Sequence, residues 1–165
     1  MGKASAAVAA LLLVVLAACG SGSDTGENEA SAGTTDVAST TAPTTADPNA
    51  IANTFDIGAG RELYLECEGT GTPTVLLEAG DESGIEDWQR VMPELADATR
   101  TCAYSRAGIG RSVDATGCRQ LDDILNDLES LLRVADIASP YVLVGASGGG
   151  YLMAGLAARR PADVA

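Results

Sequence analysis

Tyr141-Val142-Leu143-Val144-Gly145-Ala146-Ser147-Gly148-Gly149-Gly150 is the stretch on which the fold of this chain turns. Tyr141 to Gly145 is a short apolar run, the pattern of a strand covered on both faces. From Gly148 to Arg160 small and apolar residues continue at helical length. Arg159 and Arg160 suit a helix C-terminus, and Pro161 stops the helix. Between the two, Gly145-Ala146-Ser147-Gly148-Gly149 matches the pattern G-x-S-x-G. A serine hydroxyl is a weak nucleophile and must be held where a base and oxyanion donors reach it. A sharp strand-to-helix turn does this, and only small residues fit two places before and after the serine. Ser147 is the candidate nucleophile, and the helix behind it aims its first amides at developing negative charge.

Upstream, strands and helices alternate. Arg61 to Glu68 places Leu63, Leu65 and Cys67 on one side and Glu62, Glu66 and Glu68 on the other, which predicts a strand with one buried face. Gly69-Thr70-Gly71-Thr72-Pro73 reads as a turn, and Thr74 to Ala79 as a fully covered strand. Ser83 and Glu86 have capping-box spacing ahead of Trp88, Val91, Met92 and Leu95, with a kink or restart expected at Pro93. Thr99 to Tyr104 is the next buried strand, followed by the glycine-rich loop Ser105 to Ser112. Leu121, Ile124, Leu125, Leu128, Leu131, Leu132 and Ala135 then form one apolar helical stripe. Asp122, Asp123, Asn126, Asp127 and Glu129 lie opposite, as a solvated face and not a metal site. Strand and helix alternate three times, which predicts a parallel sheet with helices on its faces.

The loop after the Thr74–Ala79 strand, Ala79-Gly80-Asp81, is where a second oxyanion donor belongs, through the Asp81 amide. Taken together, these landmarks give the folded part, from about Asp56 to Ala165, a resemblance to the N-terminal half of an α/β-hydrolase-fold protein. The Leu-Leu-Glu-Ala-Gly strand end, Trp88, the Tyr104–Ser112 loop and the Ser147 elbow come in the family's order. The loop is similar to the family's Tyr-Asp-Arg-x-Gly-x-Gly-x-Ser. The resemblance implies an α/β fold with a mostly parallel, helix-flanked sheet, truncated after the elbow helix. It also implies a serine hydrolase acting on an ester or related acyl bond of a small molecule, without a cofactor or metal. Ser147 would attack, and the backbone amides of Gly148 and Asp81 would hold the oxyanion.

The departures from that family are specific. Ser105 stands where aspartate is usual, so a loop-stabilising interaction is expected to be missing. Ala146 and Ala79 replace frequent histidines that are not the catalytic base. The family's acid and histidine follow the elbow, yet the chain has no histidine, and Asp163 comes ahead of the strand that normally precedes the acid. The 165 residues alone are therefore expected to be inactive and poorly soluble, with an unpaired strand edge. Two alternatives stand beside this one. A lipoprotein that keeps the fold without catalysis is compatible with the missing base. The glycine turn is also similar to that of nucleotide-binding dehydrogenases, but their turn follows the first strand, and here other strand–helix units come first.

The N-terminal third belongs to export, not to the folded body. Residues 1–18 combine a charged start with a short Ala/Val/Leu run, as in a secretory signal. Leu16-Ala17-Ala18-Cys19-Gly20 resembles the lipobox of bacterial lipoproteins, which implies a lipid on Cys19 and a membrane-anchored, extracytoplasmic protein. Residues 19–53, rich in Ser, Thr and Ala, are expected to form a disordered tether, leaving 54–165 as a partial domain. A net charge of −13 argues against nucleic acid. Cys67, Cys102 and Cys118 do not have zinc-site spacing; outside the cytoplasm they permit one disulfide among three possible pairings.

Overall fold

The computed structural model describes residues 47–165. The signal of residues 1–18, Cys19 and the tether as far as residue 46 lie outside the described residues. Five strands make one sheet: β1 (Ile51–Gly58), β2 (Arg61–Glu68), β3 (Thr74–Glu78), β4 (Thr101–Tyr104) and β5 (Tyr141–Gly145), in the order β1-β2-β4-β3-β5. β3 runs parallel to both β4 and β5. β2 runs antiparallel to both β1 and β4, so the sheet is mixed.

The antiparallel side comes largely from β1, which the sequence pattern does not announce. Ile57 is its only fully buried residue, so no hydrophobic alternation marks it. Its first three residues fall within the segment expected to be a tether, because pairing with β2 orders them. Ala59 and Gly60 close the hairpin with φ of 56° and 71°, the two-residue turn whose twist matches that of paired strands.

Alternation along the strands builds two cores. Leu63, Leu65, Cys67, Leu76, Cys102 and Tyr104 face α2 (Leu121–Val134) and α3 (Gly148–Arg159), meeting Leu125, Leu128, Leu131, Leu152 and Leu156. Each fully buried leucine of this layer contributes about 1.5–3 kcal/mol. On the other face Tyr64, Val75, Leu77 and Ala103 meet Ile85 of a 3₁₀ turn (Ile85–Trp88) and Met92 of the short α1 (Met92–Ala96). Pro93 sits in the first turn of α1, so it restarts the helix, as its missing N–H dictates.

Three sequence expectations change here. The Ser83–Glu86 capping box does not form: Gly84 is the N-cap residue, and no side chain caps the turn. Instead the Ser83 amide turns back to the Gly80 carbonyl (3.2 Å), and the Ile85 amide donates to Ser105 Oγ (3.4 Å). Asp127 is not part of a solvated face. It is buried and paired with Arg61 Nε at 3.0 Å and with the Arg119 guanidinium, because two arginines from outside α2 close over it. β5 is not covered on both faces: Val142 is 38% exposed, and among the described residues β5 has a strand neighbour only on the β3 side. On its other side Val164 bridges Tyr141 in parallel, and the Ala165 amide donates to the Tyr141 carbonyl (2.9 Å).

Cys67 and Cys102 are register partners on β2 and β4 and form a disulfide, which leaves Cys118 free and exposed. Cross-linking residues 35 apart restricts the unfolded chain by roughly 3–4 kcal/mol. No helix among the described residues is long and apolar enough to cross a membrane.

Candidate active site

The tip of the site is the β5–α3 junction. The Ala146 amide donates to the Glu78 carbonyl (2.9 Å), which extends the β3–β5 pairing by one step. Ser147 then adopts φ 50°, ψ −122°, a region non-glycine residues avoid at a cost of about 1–3 kcal/mol. The turn is fastened behind it: the Gly149 amide donates to the Ala146 carbonyl (2.8 Å), and the Gly150 amide to the Ser147 carbonyl (3.0 Å). Contacts explain the glycines. A Cβ on Gly145 would lie 2.5 Å from the Gly149 carbonyl carbon and the Gly150 nitrogen, and one on Gly149 would strike the carbonyl oxygens of Ala79 and Glu78.

Asp81 reaches this turn in two ways. Its backbone follows Gly80, whose Cβ position lies 3.7 Å from Ser147 Cβ. Its carboxylate lies in the space that a Cβ on Gly148 would take, a contact the exposed Asp81 side chain can relieve by moving. Among the described residues, neither the Asp81 nor the Gly148 amide has a hydrogen-bond partner. Ser147, Gly148 and Asp81 stand together at one edge of the sheet. They open on a cleft of about 630 Å³, also lined by Arg106, Leu121, Ile124 and Tyr151. Leu121 and Tyr151 are 48% and 80% exposed, an apolar shelf beside the serine.

Beneath the cleft lies a buried ion pair that sequence reasoning missed. Arg106 Nη1 donates to Glu78 Oε1 at 2.5 Å and to the Ala79 carbonyl at 3.1 Å. Arg106 Nη2 donates to the carbonyls of Gly80 and Asp81, the latter at 2.8 Å. Burial pushes the Glu78 carboxyl up to about 7, against the opposing pull of Tyr104 and Arg106. Tyr104 Oη and Glu78 Oε2 are both buried without a hydrogen bond of good geometry. The signal was available: an acid that ends a wholly buried strand requires a cationic partner, and Arg106 is the arginine of the quoted loop motif.

At Ser105, where the loop-stabilising interaction of an aspartate is expected to be missing, the side-chain Oγ accepts the Ile85 amide at 3.4 Å. Ser105 is buried, its amide donates to the Tyr64 carbonyl (3.0 Å), and its carbonyl accepts from Ser112 Oγ (2.6 Å). No group of His, Cys, Asp and Glu among the described residues could hold a metal ion. The dehydrogenase alternative loses its premise, because the glycine turn follows the fifth strand of the sheet and not the first.

No protein-family model matches the chain. It is 33% identical over 97 residues to the uncharacterised protein YqjL of Bacillus subtilis, covering 59% of this chain and 38% of that protein. It is 34% identical over 92 residues to a putative carbamate hydrolase, RutD, of Azorhizobium caulinodans, covering 56% of this chain and 34% of the relative. The chain thus spans little more than a third of the length of these curated relatives. Among solved structures, an alpha/beta hydrolase from Novosphingobium aromaticivorans superposes with a TM-score of 0.65 at 30% identity, covering 70% of this chain and 42% of that one. Its fold over that span is that of part of an α/β-hydrolase: a mixed sheet with helices on both faces, ending in a strand, a strained serine and a helix.

Proposed function

We propose that the chain carries the nucleophile-bearing part of a serine hydrolase that cleaves ester or related acyl bonds of small molecules. The conformation of Ser147, strained and flanked by two unpartnered amides, is the observation that carries this reading. A relative described as a putative carbamate hydrolase supports the same reaction class. Ser147 Oγ attacks the acyl carbon and gives its proton to a base. The carbonyl electron pair moves onto oxygen, between the Gly148 and Asp81 amides. Collapse of this adduct expels the leaving group, which takes up the proton, and water then releases the acyl group by the same path. The base and its acid partner are assigned to no residue of this chain: the resemblance places them after the elbow, and these 165 residues contain no histidine. Alone, they retain at most the residual acceleration of an oxyanion hole, on the order of 10³–10⁴ over water.

Treating the product of the entire reading frame with a fluorophosphonate tests this. Mass spectrometry is expected to find the adduct on Ser147, and Ser147→Ala is expected to abolish both labelling and ester hydrolysis. A full-length protein that neither labels nor hydrolyses esters would leave the non-catalytic lipoprotein as the better reading, and a variant that hydrolyses undiminished would remove Ser147 as the nucleophile.

For location, we propose a lipid anchor on Cys19 and an extracytoplasmic domain. The Cys67–Cys102 disulfide supports an oxidising compartment. Tritiated fatty acid is expected to label the native protein, and Cys19→Ala is expected to lose the label and leave the membrane fraction. Equal membrane retention of the variant contradicts the anchor.

A further inference from the structure

We propose that Arg106 is a positioning residue for the oxyanion loop, setting the direction of the Asp81 amide by holding the carbonyls on either side of it; this rests on the serine hydrolase reading above. One guanidinium contacts four successive residues: the Glu78 carboxylate and the carbonyls of Ala79, Gly80 and Asp81. In a trans peptide the C=O and N–H point in opposite directions. The Gly80 carbonyl and the Asp81 N–H belong to the same peptide group, so drawing that oxygen onto Nη2 turns the amide away from the guanidinium. Gly80 imposes little preference of its own, and the same oxygen accepts only one other hydrogen bond among the described residues, from the Ser83 amide at 3.2 Å, so Arg106 holds this peptide together with the local turn.

Glu78 makes the device part of the elbow. Its carboxylate anchors Arg106, while its carbonyl accepts the Ala146 amide at 2.9 Å, one residue before the serine. Gly149 packs on the same strand end, against the oxygens of Glu78 and Ala79. The two oxyanion donors are thus referenced to a single residue of β3. Arg106 is 9% exposed and comes from a different loop, so it ties β4 to both halves of the site. Lysine keeps the charge but lacks the planar fork that spans a carboxylate and three carbonyls.

The test uses the product of the full reading frame with Arg106→Lys and Arg106→Met. One readout is the ¹⁵N resonance and hydrogen exchange of the Asp81 amide, with the Gly148 amide as internal control. The other is fluorophosphonate labelling of Ser147, resolved into saturating rate and half-saturating concentration. In both variants the Asp81 resonance is expected to move and its exchange to quicken while Gly148 stays in place. The saturating rate is expected to fall roughly 10- to 100-fold, with the half-saturating concentration within about threefold of native. An unmoved Asp81 amide, or an unchanged saturating rate in a folded variant, overturns the inference. If native Ser147 does not label, the hydrolase reading falls, and the Asp81 amide alone decides the role of Arg106. If neither Arg106 variant folds, Glu78→Gln takes their place. It is expected to shift the same resonance, and a native-like Asp81 amide there overturns the inference.

Discussion

Glu78 and Asp127 are both acids buried in this domain, and they are accommodated in opposite ways. Asp127 lies between two guanidinium groups, Arg61 at 3.0 Å and Arg119, so positive charge exceeds negative around it. Glu78 has one, and that guanidinium is shared with three backbone carbonyls. Burial raises both carboxyls above their ordinary range. Arg119 and Arg61 pull Asp127 back, whereas Glu78 is left at about 7. The comparison separates two uses of a buried charge. Asp127 fastens α2 to the start of β2 and has no contact with the cleft, whereas Glu78 orients a cation whose remaining donors shape a loop beside the nucleophile.

The largest expected effect comes from stranding the arginines. Asp127→Ala leaves two guanidinium groups facing each other and is expected to cost about 2–4 kcal/mol in denaturant unfolding at neutral pH. A loss under about 1 kcal/mol would show that Asp127 is no better placed than a surface acid. Glu78→Gln is expected to act mainly on the pH dependence. The folded carboxyl binds its proton more tightly than the unfolded one, so its contribution is complete below the unfolded value of 4.5 and is lost as pH rises to about 7. Native stability should therefore decline over that window relative to Glu78→Gln, whose curve should be flatter. The Asp127 shift has the same sign in both proteins and cancels in the difference. Parallel curves would show that Glu78 stays ionised. The smallest effect belongs to Arg61→Ala: its partner keeps Arg119, and the side chain is 31% exposed, so the same unfolding assay should register about 1 kcal/mol or less.

What the sequence disclosed follows from the range of the forces involved. β3, α2 and the elbow are written in neighbouring residues: a short apolar run, a 3.6-residue stripe and glycines around a serine. β1 is not, because its order comes from β2 and its own residues are largely exposed. Asp127 has the same spacing as its solvated neighbours on α2, and only tertiary contact with Arg61 and Arg119 distinguishes it. Ser147, Gly148 and Asp81 could be placed together because strand ends at one edge of a sheet converge. The Asp81 carboxylate over Gly148 and the Arg106 fork depend on side-chain directions that no periodicity encodes. The cysteine pairing likewise needed the β2–β4 register.

The bond between Cys67 and Cys102 divides the site topologically. It closes a covalent ring that contains β3, Glu78 and the Asp81 loop, while Arg106, α2 and the Ser147 elbow lie outside it. Opening of the C-terminal elements would carry the serine away while the oxyanion loop stayed confined within its ring. One half of the site is thus bounded by a chemical bond and the other by packing alone, and such unequal restraint is what allows local unfolding to begin on the serine's side.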